Sequence, residues 1–205
     1  MRLQRRDFIG GAVGAFSLAA VLGFGAGTAS ALEPADATRF VQETVDAVVA
    51  LIEAPGDDAG KADEFRKILQ ARAAMPQIAR FAAGTAWRQM SEAEQARYVD
   101  AFVAHISRIY ARRFGEYRGE ELRLGAASDA GKRGIRVDSR VIRPGAQPIT
   151  VEWFVTDRPG RVVISDIVIE GVSLVVTQRE EVGAMLEARG GSVERLIADL
   201  ANGTA

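Results

Sequence analysis

The hydrophobic period of this chain changes at Gly119, and that change constrains the fold more than any other feature. Before Gly119 large apolar residues recur at helical spacing; after it they alternate with polar ones. Two sustained periods in succession describe an α+β chain with helices and strands segregated along the sequence. Ser91-Glu92-Ala93-Glu94 is a capping box and opens the longest predicted helix, to about Glu116. Tyr98, Phe102, Ile106, Ile109, Tyr110 and Phe114 form an apolar stripe down one side of it. Three shorter helices precede it. One starts near Pro34 and carries Val41, Val45, Val48, Val49 and Ile52 until Pro55-Gly56. Another runs from about Ala62 to Ala73 with Phe65, Ile68 and Leu69 inward. A short one follows Met75-Pro76, carries Ile78 and Phe81, and ends at Gly84.

About four strands follow. Leu122-Arg123-Leu124 is a short one. Ile135, Val137, Ser139 and Val141 alternate with Arg136, Asp138 and Arg140, the pattern of a half-buried strand. Arg143-Pro144-Gly145-Ala146 turns the chain into a strand whose Ile149, Val151, Trp153 and Val155 alternate in the same way. Asp157-Arg158-Pro159-Gly160 turns it again into Arg161 to Glu170. Short Pro-Gly turns make the last three strands antiparallel neighbours. A helix from about Gln178 to Ala188, the Gly190-Gly191 break and a last helix capped by Ser192 close the chain.

Residues 1–31 read as an export signal. Arg2, Arg5 and Arg6 form a basic head, an apolar stretch rich in Gly and Ala follows, and Ala29-Ser30-Ala31 supplies a small-x-small cleavage site. Arg5-Arg6 before Asp7-Phe8-Ile9 resembles a twin-arginine signal, although Gln4 and Gly10 depart from its commonest flanks. The stretch is nearly long enough to span a bilayer, but its glycines and the cleavage site beside it favour a removed signal. Residues 32–205 then form one mature domain, expected to be soluble in the periplasm. Cleavage removes three of the 26 basic residues and one of the 27 acidic ones, moving the net charge from −1 to −3. That balance lacks the cationic excess of a nucleic-acid binder.

The residue inventory is poor in catalytic chemistry. The chain has no cysteine and one histidine, His105, which argues against disulfides, thiol catalysis and His- or Cys-based metal sites. His105 is the obvious acid–base candidate, with a partly exposed or locally satisfied helix histidine as its plainer reading. Asp138 and Glu152 alternate away from the apolar strand faces and read as solvated. Asp166 shares parity with Val162, Ile164 and Val168 and reads as a structural carboxylate held against a cation or a helix end. What stands out is apolar surplus on both a long helix and one sheet face, compatible with a packed core or with a lipid cavity. Each methylene hidden from water contributes about 0.8 kcal/mol, so two chains of about fifteen methylenes gain on the order of 20 kcal/mol gross. Only a deep apolar pocket achieves that.

The segment Ile167-Val168-Ile169-Glu170-Gly171-Val172-Ser173-Leu174-Val175-Val176-Thr177-Gln178-Arg179 closely resembles the C-terminal signature of the MlaC family, the periplasmic carriers of the lipid-asymmetry pathway. Ile78-Ala79-Arg80-Phe81 with Gly84 and Trp87-Arg88, the run Tyr110 to Tyr117, Val151-Glu152-Trp153 and Gly190-Gly191 extend the likeness over essentially the whole mature chain. Departures are the absence of aromatic residues near Val162 and Ser165, and Val182 in place of one. The resemblance implies a twisted antiparallel sheet, like the nuclear-transport-factor cone, wrapped by a helical subdomain. It also implies a monomer without cofactor, metal or catalysis that carries glycerophospholipid tails-first. Its partners would be an inner-membrane Mla ABC transporter complex and an outer-membrane lipoprotein–porin complex.

On this reading Ile135, Val137, Val141, Val151, Trp153 and Val155 form a sheet wall of the lipid site. Phe102, Ile106, Ile109 and Tyr110 form the facing helical wall, with Ile78, Phe81 and Trp87 closing one end. Ile164, Val168, Val172 and Leu174 continue the floor, and Arg112, Arg113 and Arg179 stand near the mouth or a docking surface. Two other classes of function stay open: a cone-fold isomerase or lyase using His105 or Asp166, and a cargo-free periplasmic adaptor with a filled core.

Overall fold

The computed structural model describes residues 32–204; the expected signal, 1–31, lies outside them. Helix α1 (Pro34–Glu53) starts on its proline, whose missing N–H costs nothing at that position. Helix α2 (Asp58–Arg72) begins before the expected Ala62, because Asp57 accepts a hydrogen bond from the Gly60 N–H at 2.8 Å. Helix α3 (Met75–Ala83) stops at Gly84, and a 3-10 segment, Gly84–Gln89, leads to α4 (Glu92–Ala111). The capping box forms: Ser91 N–H donates to Glu94 Oε2 at 2.8 Å and Glu94 N–H to Ser91 Oγ at 3.3 Å. Helix α4 ends short of Glu116, where a 3-10 turn, Phe114–Glu116, takes over.

The sheet has five strands in sequential order: β1 (Glu121–Asp129), β2 (Ile135–Ile142), β3 (Ile149–Arg158), β4 (Arg161–Ile169) and β5 (Val172–Ser173). All neighbours are antiparallel. Strand β1 runs well past Leu124, since Gly125, Ala126 and Ala127 carry it through a register shift that breaks the alternation. Gly134 enters β2 at φ 83°, and a Cβ there would overlap the Val155 carbonyl oxygen, so only glycine fits.

A second irregularity corrects the parity of β4. Phe154 pairs with Asp166 but Val155 pairs with Ile164, which leaves Ser165 as an extra residue. Ile164 therefore shares a face with Val155, and Asp166 and Val168 share the opposite face with Phe154 and Glu152. Helix α5 (Leu174–Ala188) starts ahead of the expected Gln178. Ser173 Oγ accepts from Val176 N–H at 3.2 Å and Asp166 Oδ1 from Val175 N–H at 3.3 Å. These caps override the strand preference of Val175 and Val176. Helix α6 (Val193–Asn202) is capped by Ser192 as expected.

Two separate cores hold the fold. The larger joins α3, α4, α5 and α6, with Tyr98, Phe102, Leu196 and Leu200 fully buried. The smaller lies between α1 and the sheet and contains Ala37, Val41, Ile135, Val137 and Val155. The α2–α3 junction connects them: Ala74 N–H donates to the Ile164 carbonyl at 2.9 Å and Arg161 Nη1 to the Gln70 carbonyl at 2.9 Å.

Candidate functional site

Residues directly paired across antiparallel strands project from the same face, so the register assigns the site. Leu122, Val141 and Ile149 form one row, and Leu124, Ser139, Val151 and Ile169 the next. Ala127, Val137, Trp153 and Ile167 form a third, and Ile135, Val155 and Ile164 a fourth. All six sheet-wall residues expected from alternation thus lie on one face. Ser139, the polar member of that face, is buried and fully engaged. It donates to the Val151 carbonyl at 2.9 Å and accepts from Trp153 Nε1 at 2.9 Å, fixing the indole over the sheet.

Helix α1 covers only part of this face. Its Ala37, Val41 and Val45 pack on Ile135, Val137 and Val155. Towards the other end of the strands Leu122, Val141, Ile149, Ile167 and Ile169 are half-buried and belong to neither core. The later turns of α1 continue the pattern with half-buried Val48, Val49 and Ile52. On the helical side Phe65, Ile109, Tyr110 and Phe114 are half-buried too. The Phe65 ring stands edge-on to Tyr110 at 6.4 Å and to Phe114 at 5.3 Å.

Of the other expected wall residues Ile164 shares the sheet face, in the fourth row, and most of the rest fall elsewhere. Phe102 and Ile106 sit inside the helical core, with Ile78, Trp87 and Tyr110 packed against it, because α4 packs on α2, α3 and α6 while α1 takes the sheet. Ile109 is outside both cores. Val168 is buried on the opposite sheet face, turned there by the bulge at Ser165. Leu174 is half-buried at the start of α5 and Phe81 is exposed, whereas Val172 pairs with Ile169 and so extends the open sheet face, where it is exposed. Ile149, Ile167, Ile169 and Leu122 were missing from the expected site. Ile149 and Leu122 share the alternation of their strands, whereas the bulge hid the parity of Ile167 and Ile169.

The titratable candidates have structural surroundings. Asp166 accepts from Ser173 Oγ at 2.8 Å and Ile167 N–H at 2.9 Å, caps α5, and pairs with Arg133 at 3.2 Å. On the same face Arg136 bridges Asp138 at 2.9 Å and Glu152 at 3.4 Å. His105 is buried rather than partly exposed or satisfied, and its Nε2 has no hydrogen-bond partner. Burial, followed by the Arg108, Arg112 and Arg189 charges, lowers its pKa to about 4. Among the described residues no group of three His, Asp or Glu side chains is placed to hold a metal ion.

These features define an α+β domain built around a single antiparallel sheet with one half-covered apolar face. The family model described as MlaC protein matches residues 39–202, and the chain belongs to the MlaC family. Among solved structures it is similar to the phospholipid-binding protein from Ralstonia solanacearum, determined in complex with a phospholipid. The identity is 25%, the TM-score 0.65, and the match covers 80% of this chain and 98% of that one.

Proposed function

We propose that this chain is a periplasmic phospholipid carrier that holds the acyl chains of a glycerophospholipid against the half-covered sheet face. It passes the lipid between an inner-membrane Mla ABC transporter complex and an outer-membrane lipoprotein–porin complex. Residues 1–31 direct export, by the twin-arginine route, and are then removed. The observation that carries the reading is the apolar row Leu122, Val141 and Ile149, continued by Ile167 and Ile169, which no core covers. Leaving large apolar groups partly wet is unfavourable in a ligand-free protein, and covering them with methylenes recovers about 25 cal/mol for each Å². Val151 and Trp153 form the floor between this open row and α1. Family membership and the phospholipid held by the Ralstonia solanacearum protein support the same reading.

Transfer on this reading needs no covalent chemistry. The carboxylate and imidazole that offered it are engaged in helix capping and in helix packing. Partner contact shifts the population between closed and open forms. The test is to isolate the exported protein gently, extract it with solvent and identify bound lipid by mass spectrometry. Wild type should yield about one glycerophospholipid per chain, and the folded double variant Val141→Asn/Ile149→Asn several-fold less. An empty wild-type protein with no affinity for glycerophospholipids would sink the reading.

A further inference from the structure

Among the described residues the large hydrophobic side chains left exposed are Phe81 at 43%, Val172 at 58% and Val176 at 45%. Val172 pairs with Ile169 and extends the open sheet face, while Phe81 and Val176 flank Arg179. Arg179 Nη1 donates to the Phe81 carbonyl at 2.8 Å, and its guanidinium lies 5.0 Å from the centre of the Phe81 ring. Val176 stands about one helical turn before Arg179 on α5. Beside this ridge a cleft of about 380 Å³ opens between α3, the 3-10 segment and α5, lined by Arg80, Phe81, Trp87, Arg88 and Arg179 among others. No carboxylate lines it. Arg80, Arg88 and Arg179 are exposed and take part in none of the ion pairs found among the described residues.

We propose that this edge is where the carrier rests on an anionic phospholipid bilayer, the guanidiniums taking lipid phosphates while Phe81 and Val176 enter the headgroup boundary. The proposal rests on the carrier reading and names the surface that carrier meets. Three like charges around one cleft, in a chain whose net charge is negative, make a local cationic patch that an anionic surface complements. Arginine forks match phosphate oxygens, and the aromatic and valine side chains beside them supply the apolar half of an interfacial contact. A protein partner fits less well. Stable protein interfaces occupy roughly 800 Å² a side, far more than two exposed apolar side chains present. A bilayer adapts to a small ridge and supplies a high density of anions.

The experiment is sedimentation of the exported, purified protein with vesicles of phosphatidylcholine alone and of phosphatidylcholine mixed with phosphatidylglycerol. Cargo lipid per chain is counted in parallel by mass spectrometry. Wild type should sediment with the mixed vesicles and lose about tenfold in affinity when salt is raised. Arg80→Gln/Arg88→Gln should lose most of that binding, and Val176→Ser a smaller part, both with cargo unchanged. Equal sedimentation with both vesicle types would overturn the proposal, as would an arginine variant that sediments like wild type. Retention on an acidic peptide without any vesicle binding would assign the edge to a protein and overturn it too. Binding to mixed vesicles by a protein that never carries cargo would keep this surface and sink the carrier.

Discussion

Lowering the pH should destabilise this protein through His105. The imidazole is 2% exposed, with a pKa near 4 against an ordinary 6.5. The unfolded chain therefore takes up this proton at higher pH than the folded one. The stabilisation is fully present above pH 6.5 and is lost as pH falls towards 4. Each pH unit inside that window removes about 1.4 kcal/mol, so moving from pH ~7.5 to pH ~5 should cost about 2 kcal/mol from this group alone. His105→Leu isolates the effect. Nε2 has no partner to lose, so an apolar replacement should fall within about 1 kcal/mol of wild type at neutral pH. Urea unfolding of both proteins at the two pH values gives the double difference, in which other titrating groups cancel. The variant should gain about 2 kcal/mol on wild type at the lower pH. A double difference within about 0.5 kcal/mol of zero would refute the burial argument.

Two further outcomes follow from the hydrogen bonds and the backbone. Asp166→Ala removes the acceptor for Val175 N–H and Ser173 Oγ and should lower stability by about 2 kcal/mol in urea. Asp166→Asn keeps an acceptor for the Ile167 and Val175 N–H groups, loses the pairing with half-exposed Arg133 and faces Ser173 Oγ with a donor in place of an acceptor, and should cost about half as much as the alanine. Equal losses in the two variants would show that charge, not capping, is the role. Gly134→Ala, at φ 83° and against the Val155 carbonyl, should cost more than about 2 kcal/mol in thermal or urea unfolding. A neutral alanine there would mean that the β2 entry is not held as described.

Much of the architecture was legible because local signals agreed with tertiary packing. The Ser91–Glu94 box and the alternation of Ile135–Val141 and Ile149–Val155 each specify one local conformation, and the Pro-Gly turns set the order of the strands they join. The misses have physical causes. Small residues carry β1 through Gly125 without an alternating signal, and β5 is two residues long. The start of α5 depends on Asp166, which lies seven positions before Ser173 in the chain, so a local window cannot see it. For the site, periodicity identifies an apolar face but not its neighbour. The stripe on α4 suits a sheet wall as well as a helical core, and the structure places Phe102 in the core. The bulge at Ser165 then reverses parity midway along β4, adding Ile167 and Ile169 to the open face and removing Val168.

The division of the interior into two independently packed halves has a mechanical consequence. Each half has close-packed contacts of its own, so a change of angle between them, taken up at joints such as the Ala74–Ile164 backbone bond, would leave both packings in place. Room for a guest can then be gained as a jaw gains it, by changing an angle, while neither half has to melt.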